Sequence, residues 1–217
     1  LTRPLPPSAS VAHPLEGGKL HAPAAARNAQ AIGSFLTRHA PATGDALEIA
    51  SGTGQHVVHF APLLPGLQWQ PTDIDPPRLR SIDAHVSQAG LSNVAPALHL
   101  DATQDGWARH HGPYDLILLA NLLHLVSAPQ VVTLITEAAK ALKPGGVLML
   151  YGPYARDGQL TSPGDQRFDA QLRAADPAIG YKDTAEMARW LHAAGLEADS
   201  PYQMPANNLI ILARPTG

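Results

Sequence analysis

Two glycines one residue apart, Gly52 and Gly54 in EIASGTGQH (48–56), follow the apolar pair Ala46-Leu47 and precede the helical-looking stretch VVHFAPLL. A strand, a glycine loop and a helix in that order bring backbone N–H groups close to a nucleotide-bearing ligand. Loops that cradle ATP phosphates need Gly-Lys-Ser/Thr, whereas Gly54 is followed by Gln55-His56. The dinucleotide fingerprint needs a third glycine where helix and sheet pack, and Val57 stands there. Glu48 separates the ligands that remain. A carboxylate four residues before Gly52 would repel a pyrophosphate, and it suits a ligand that carries positive charge, such as S-adenosylmethionine with its ammonium and sulfonium groups. The plain alternative is a partly exposed carboxylate at a strand end. Ala50 takes the place of a further glycine, as a small residue that extended backbone accommodates.

Other polar residues fall where such a ligand would reach. In QPTDIDPP, Asp73 lies at a strand end about 20 residues beyond the glycines, where ribose hydroxyls arrive. Asp75 precedes Pro76 and reads as a helix N-cap; the two aspartates can exchange these roles. Asp101, in LHLDAT, can accept the adenine amino group, cap a short helix over 102–110, or do both. Asn121 and His124, in LANLLHLV, belong to the same edge. Asn121 suits orienting cofactor or substrate, and Asn-Leu-Leu-His is not the Asn/Asp-Pro-Pro-Tyr box of amino-methylating nucleic-acid enzymes. His124 is a candidate general base near neutral pH, or a histidine hydrogen-bonded at a helix start. Tyr151 and Tyr154, in YGPY, offer one tyrosine to a substrate, with Tyr154 a second catalytic candidate, or else they pack as aromatics. Arg27 can pair a carboxylate of cofactor or substrate beside Asn28, or make a surface salt bridge. Asn207 and Asn208, in MPANN, bind a substrate or make a turn. The other ten histidines show no ligand spacing, and no metal is expected.

The elements that must position these residues alternate in type. Apolar residues at helical spacing predict a helix within 22–40, started by Pro23 and ended by Pro41. Strands are predicted at 45–50, 67–73, 93–101, 114–120 and 146–152, with Pro96 placing the third at an edge. Helices are predicted between them: after Gly54, from Asp75 to Gly90, and across Val131, Leu134, Ile135, Ala138 and Leu142. YDLILLA (114–120) is apolar throughout, as a strand covered on both faces must be. The region 153–182 is irregular around one helix, QRFDAQLRAA. A last helix carries Met187, Trp190 and Leu191, and two β-like segments close the chain. Such alternation predicts a doubly wound, mostly parallel α/β sheet with any ligand along the strands' C-terminal edge. Residues 1–22, rich in Pro, Ser, Gly and His, read as an extended or mobile arm before one domain over 23–217.

The ordered set EIASGTGQH, WQPTDIDP and LKPGGVLMLYGPY resembles class I S-adenosylmethionine-dependent methyltransferases. More narrowly, with APAAARN (22–28), SPGDQRFDAQLRAADP (162–177) and MPANN (204–208), it resembles the domain-of-unknown-function 938 group, also called methyltransferase-like protein 26. The resemblance runs from about residue 20 to the C-terminus. It implies a Rossmann-like, seven-stranded sheet whose last strand is antiparallel, with S-adenosylmethionine as cofactor and S-adenosylhomocysteine as product. It places the methionine side of the cofactor on Glu48, Ala50, Gly52 and Gly54, the ribose at Asp73 and the adenine at Asp101, with Ser51, Ile74 and Ala102 as further cofactor-binding residues. It implies no particular substrate.

Composition bounds the partners. The 217-residue chain carries a net charge of −3, a pI near 6.4, mean hydropathy −0.08 and 45% hydrophobic residues. These values suit a globular α/β domain with a sizeable core and no dedicated nucleic-acid surface, since no Lys/Arg run occurs. The chain has no cysteine, which removes disulfides, thiolate zinc sites and cysteine nucleophiles together. No apolar stretch approaches the roughly 20 residues of a membrane span, and LTRPLPPSASVAHPLEGG has no apolar core of the signal-peptide kind. The expectation is a cytoplasmic enzyme with a small-molecule substrate. Its rivals are a non-catalytic adenosyl-binding protein on the same fold and an NAD(P)-dependent oxidoreductase.

Overall fold

The computed structural model describes residue 6 and residues 9–216. A short hairpin, β1 (His13–Pro14) with β2 (Leu20–His21), leads into α1 (Pro23–His39). Strand–helix alternation follows: β3 (Gly44–Ile49), α2 (Gln55–Phe60), β4 (Leu67–Asp73), α3 (Pro76–Ala89), β5 (Leu98–His99), β6 (Tyr114–Ala120), α4 (Ala128–Ala141) and β7 (Leu142–Ala155). The last third adds α5 (Pro163–Ala175), β8 (Lys182–Asp183), α6 (Thr184–Ala193), β9 (Leu196–Ala198), β10 (Tyr202–Gln203) and β11 (Asn208–Pro215).

The main sheet runs β5-β4-β3-β6-β7-β11, parallel from β5 to β7 and antiparallel at β11. β9 and β10 both pair with β11, at Ala213↔Ala198 and Tyr202↔Ile210, so they are two pieces of one edge strand interrupted at 199–201. That makes seven strand positions, and β8 adds only a short pairing with Tyr154 and Ala155 of β7. The expected third strand shrinks to Leu98–His99 plus a Trp69↔Val94 bridge, because Pro96 cannot donate to a ladder. It does lie at the edge.

Period two in the strands divides the core. Leu47 and Ile49 of β3 face α4 and α6, together with Ile117, Leu119 and Leu148. Ala46, Leu116, Leu118 and Met149 face α1, α2 and α3, where Phe35, Phe60 and Ile82 meet them. Glu48 follows Ala46 by two residues and is buried. The same alternation that builds the core therefore turns a carboxylate inward.

The N-terminal segment is tied down over its described part. Leu20 N–H donates to Ser81 Oγ (2.7 Å), His85 Nε2 bonds the Leu20 carbonyl (2.9 Å), and Lys19 bonds Gln88, all on α3. Ala9 is buried against Leu125, Leu172, Ile179 and Tyr181. Among the described residues, no helix is long and apolar enough to cross a membrane.

Candidate functional site

Two neighbouring cavities open along the C-terminal ends of the strands. One, of about 250 Å³, lies between the end of β4 and the segment after β5, with Asp73, Ile74, Asp101 and Ala102 in its wall. The other, of about 470 Å³, runs from Ser51, Gly52 and His56 across Asn121 to His124, Phe168 and Tyr181. Ser10, Ala50, Arg78, Leu122 and Leu125 belong to both walls.

The glycine loop divides its labour. Gly52 (φ 61) lines the larger cavity, and a Cβ there would meet nothing nearer than Arg78 Nη1 at 3.8 Å. Gly54 (φ 88) faces away from both cavities, and a Cβ there would lie 2.7 Å from Ile82 Cα. Its close approach is therefore to α3, and the expectation that Gly54 contacts a ligand gives way to a packing role. Ala50 lines both cavities, but at φ 54 it is left-handed and not extended. The loop's path over Thr72 imposes that turn, since Ser51 N–H donates to the Thr72 carbonyl (2.7 Å).

Glu48 lies behind this loop and not in a cavity wall. It is 1% exposed, and neither carboxylate oxygen has a hydrogen-bond partner among the described residues. Its nearest basic atom is His56 Nδ1, 3.9 Å from Oε1. Burial pushes Glu48 up to about 8, with Asp73 adding to the rise and the Ser51 hydroxyl opposing it. Burial and the nearby His59 push His56 down to about 4, against the Ala25 carbonyl. At neutral pH the two face each other uncharged, so they are not an ion pair.

Asp73 is held in place by the backbone. Its Oδ2 accepts from Gly52 N–H (2.9 Å) and its Oδ1 from Asp75 N–H (3.0 Å). Burial raises its pKa, opposed by Asp75 N–H, the Arg78 charge and Gly52 N–H. Ile74 N–H adds a weaker third contact, and the carboxylate keeps lone-pair capacity for a further donor. Asp75 occupies the N-cap position of α3, but its side chain makes no capping bond; it stands 3.7 Å from Arg78 Nε and also lines the smaller cavity. Asp101 caps no helix, since only a 3₁₀ turn forms, at Trp107–Arg109. Its Oδ1 instead accepts from Thr103 N–H (3.0 Å) and Oγ1 (2.6 Å). Burial works to raise its pKa, but these bonds and Gln104 outweigh it and hold the carboxyl low.

The larger cavity gathers Arg27, Asn121, His124 and Asn208. Arg27 is exposed and has no partner among the described residues. Asn121 (φ 59) turns the chain out of β6, its N–H donating to the Tyr151 carbonyl (2.9 Å). His124 is buried in a 3₁₀ turn, with ring centroids 5.6 Å from Phe168 and 6.2 Å from Tyr181. Burial and the Lys182 charge push it down to about 3, Asp169 opposing. A group held so low is a weak base, which corrects the reading of His124 as a base poised near neutral pH.

Four further candidates lie outside both cavities. Tyr154 is a core side chain whose hydroxyl donates to the Leu150 carbonyl (3.3 Å), and its burial removes it from any catalytic or substrate role. Tyr151 packs in the opposite core layer beside Asn28, whose Oδ1 bonds His56 Nε2 (2.7 Å). Asn207 (φ 60) serves the turn, with its amide on Asp165 (3.3 Å), while Asn208 enters the wall with its amide bonding Pro205 and Ala206 carbonyls.

Several wall residues carry no mark in the sequence analysis, among them the six that follow. Ser10 comes from the N-terminal segment, and its hydroxyl and carbonyl bond Arg78. Asp165 (α5) accepts from the Tyr181 hydroxyl (3.1 Å) and Ser162 Oγ (2.7 Å). His56, Arg78, Phe168 and Tyr181 complete the set. His56 and Arg78 sit in the first turns after the two strand-end acids, which was a usable signal; nothing local marks Ser10.

Solved structures share this fold. An O-methyltransferase family protein from Burkholderia thailandensis aligns with TM-score 0.75 at 18% identity, over 89% of this chain and 58% of its own. Human N-acetylserotonin methyltransferase, in complex with SAM, aligns with TM-score 0.73 at 18% identity, over 89% and 53%. An O-methyltransferase family 2 protein from Planctomyces limnophilus, in complex with apigenin, aligns with TM-score 0.73 at 21% identity, over 89% and 60%. The chain thus spans a little over half the length of these proteins. Residues 19–214 match the model of the family described as "Protein of unknown function (DUF938)", and the chain, built on the class I methyltransferase fold, belongs to that family.

Proposed function

We propose that the protein transfers a methyl group from S-adenosylmethionine to a small-molecule acceptor. The observation that carries this reading is the pairing of Asp73 with the glycine loop: Gly52 N–H fixes the Asp73 carboxylate at the meeting of the two cavities. Ribose hydroxyls suit the spare lone pairs of Asp73. Ile74, Leu100 and Ala102 offer apolar contact to an adenine whose amino group suits Asp101. On the other side, a loop backed by the unpartnered Glu48 carboxylate suits an ammonium group, and the free Arg27 guanidinium suits a carboxylate of cofactor or substrate. The cofactor supplies a methyl group already activated by positive sulfur. The protein's part is alignment and exclusion of water, which the Leu122, Leu125 and Phe168 walls serve. A small-molecule acceptor accords with the apigenin bound by the Planctomyces limnophilus neighbour.

A second reading, an adenosyl-binding protein without catalysis, is favoured by two observations: His124 is held far below neutrality and Tyr154 lies in the core. Methyl transfer needs a base only where the acceptor must lose a proton, so an acceptor already ionised at neutral pH fits the first reading. Incubation with methyl-labelled S-adenosylmethionine and a metabolite extract separates the two. Label in a product, lost in Asp73→Ala, is the expected result. Binding of the cofactor with no transfer to any fraction would favour the second.

A further inference from the structure

We propose that Glu48 holds a proton in the ligand-free protein and releases it to solvent when a cationic ligand docks on the Ala50–Gly52 loop. Occupation of the site and loss of one proton are then a single event. This rests on the reading of that loop as the seat of a positively charged group.

A polar string crosses the layer between α1, α2 and the sheet: Tyr151, Asn28, His56 and Glu48. Burial raises the pKa of the Tyr151 hydroxyl, and the Asn28 side chain opposes the rise, which fits donation to that hydroxyl by an amide N–H of Asn28. Its Oδ1 is then left for His56 Nε2, at 2.7 Å. An amide oxygen only accepts, and the Ala25 carbonyl also draws on an N–H of this ring; a neutral His56 that donates from Nε2 to Asn28 presents a lone pair at Nδ1. That lone pair is what Glu48 Oε1 meets at 3.9 Å. Two acceptors facing each other in a dry layer repel, and a proton on Glu48 relieves them. Other charges around Glu48 act in the same sense. Asp73 at the end of β4 disfavours a second carboxylate, though Arg78 of α3 partly offsets Asp73. Burial, helped by His59 one turn along α2, keeps His56 from charging against the pull of the Ala25 carbonyl. Only the Ser51 hydroxyl favours the ionised form, and it is engaged with the Glu48 carbonyl at 3.2 Å.

A cation on the other side of Ser51 and Gly52 would reverse that balance, because charges in a low-dielectric layer interact strongly over a few ångströms. The Glu48 O–H bond then breaks, its electron pair stays on the carboxylate, and the proton passes to solvent.

Calorimetric titration of the whole chain with S-adenosylhomocysteine, at pH 7 in phosphate and in Tris, reads this directly. Glu48 stands near 8 in the free protein. Between pH 6 and 8 the affinity should therefore rise by up to about tenfold per pH unit, with enthalpies differing between buffers by the heat of about one released proton. Glu48→Gln should abolish the buffer difference. Asn28→Leu frees His56 to turn an N–H toward Glu48, and should cut the released proton by half or more. Equal enthalpies in the two buffers with wild type, or an unchanged difference in folded Glu48→Gln, would overturn the proposal alone. No binding of S-adenosylhomocysteine in either buffer would overturn the proposed function and this inference with it.

Discussion

Gly54 and Ile82 meet backbone to backbone, so closely that a Cβ on Gly54 would stand 2.7 Å from Ile82 Cα. The contact lets the loop after β3 press α3 against α2, and Gly54 also holds φ 88. Gly54→Ala therefore meets two penalties, overlap and a left-handed backbone, and should destabilise the protein by about 2–4 kcal/mol. Gly52→Ala, with only ordinary contacts around its Cβ, should cost about 1 kcal/mol and weaken S-adenosylhomocysteine binding instead. Denaturant unfolding beside ligand titration distinguishes the two variants.

Ala50 holds φ 54 at the edge of both cavities. Glycine relieves that strain but adds freedom to the unfolded chain, and the first effect is the larger. Ala50→Gly should gain about 0.5–1 kcal/mol, seen as a higher urea midpoint with unchanged slope.

These two loop positions mark where the sequence was legible. Strand β4 came out at its exact ends because Asp-Pro-Pro stops it and Leu67, Trp69 and Pro71 alternate. The glycine spacing located the loop, and strand ends located Asp73 and Asp101. Backbone handedness at Ala50 left no mark, since alanine is ordinary in extended chain too. Tyr151 and Tyr154 looked available because they follow a strand, yet β7 runs on to Ala155 and buries both. The far wall was hidden for a different reason. Ser10, Asp165 and Tyr181 come from segments distant in sequence, and only the folding of α5 and the N-terminal segment onto the turn at Leu123–Leu125 unites them.

Lys182 steadies that turn. Its buried ammonium donates to the Val126 carbonyl (2.7 Å) and the Gly180 carbonyl (2.8 Å), and its charge helps keep His124 neutral. Lys182→Met leaves both carbonyls unpaired and should cost about 2–3 kcal/mol. His124 should titrate at higher pH in the variant, still below an ordinary histidine, as followed by NMR of the ring protons.

The buried acid and the buried histidines give stability opposite slopes with pH. Glu48, raised to about 8, binds more protons folded than unfolded, so its ionisation erodes stability as pH rises from the ordinary carboxylate range toward 8. His56 and His124, lowered to about 4 and about 3, do the reverse: stability falls as pH drops below about 6.5, where the unfolded histidines take up protons. Glu48→Gln should lose the first slope and keep the second. Its advantage over wild type should grow from pH 5 to pH 8, to roughly 2–4 kcal/mol, then level off. Urea unfolding at a series of pH values measures it.

The central claim is that the two cavities together form a site for an adenosyl ligand with a positively charged tail. Titration of the purified protein with S-adenosylhomocysteine and, separately, with NADH tests it most directly. The expected result is saturable 1:1 binding of S-adenosylhomocysteine, weakened at least tenfold by Asp73→Ala, with no heat from NADH. Tight binding of NADH with no response to S-adenosylhomocysteine would contradict it.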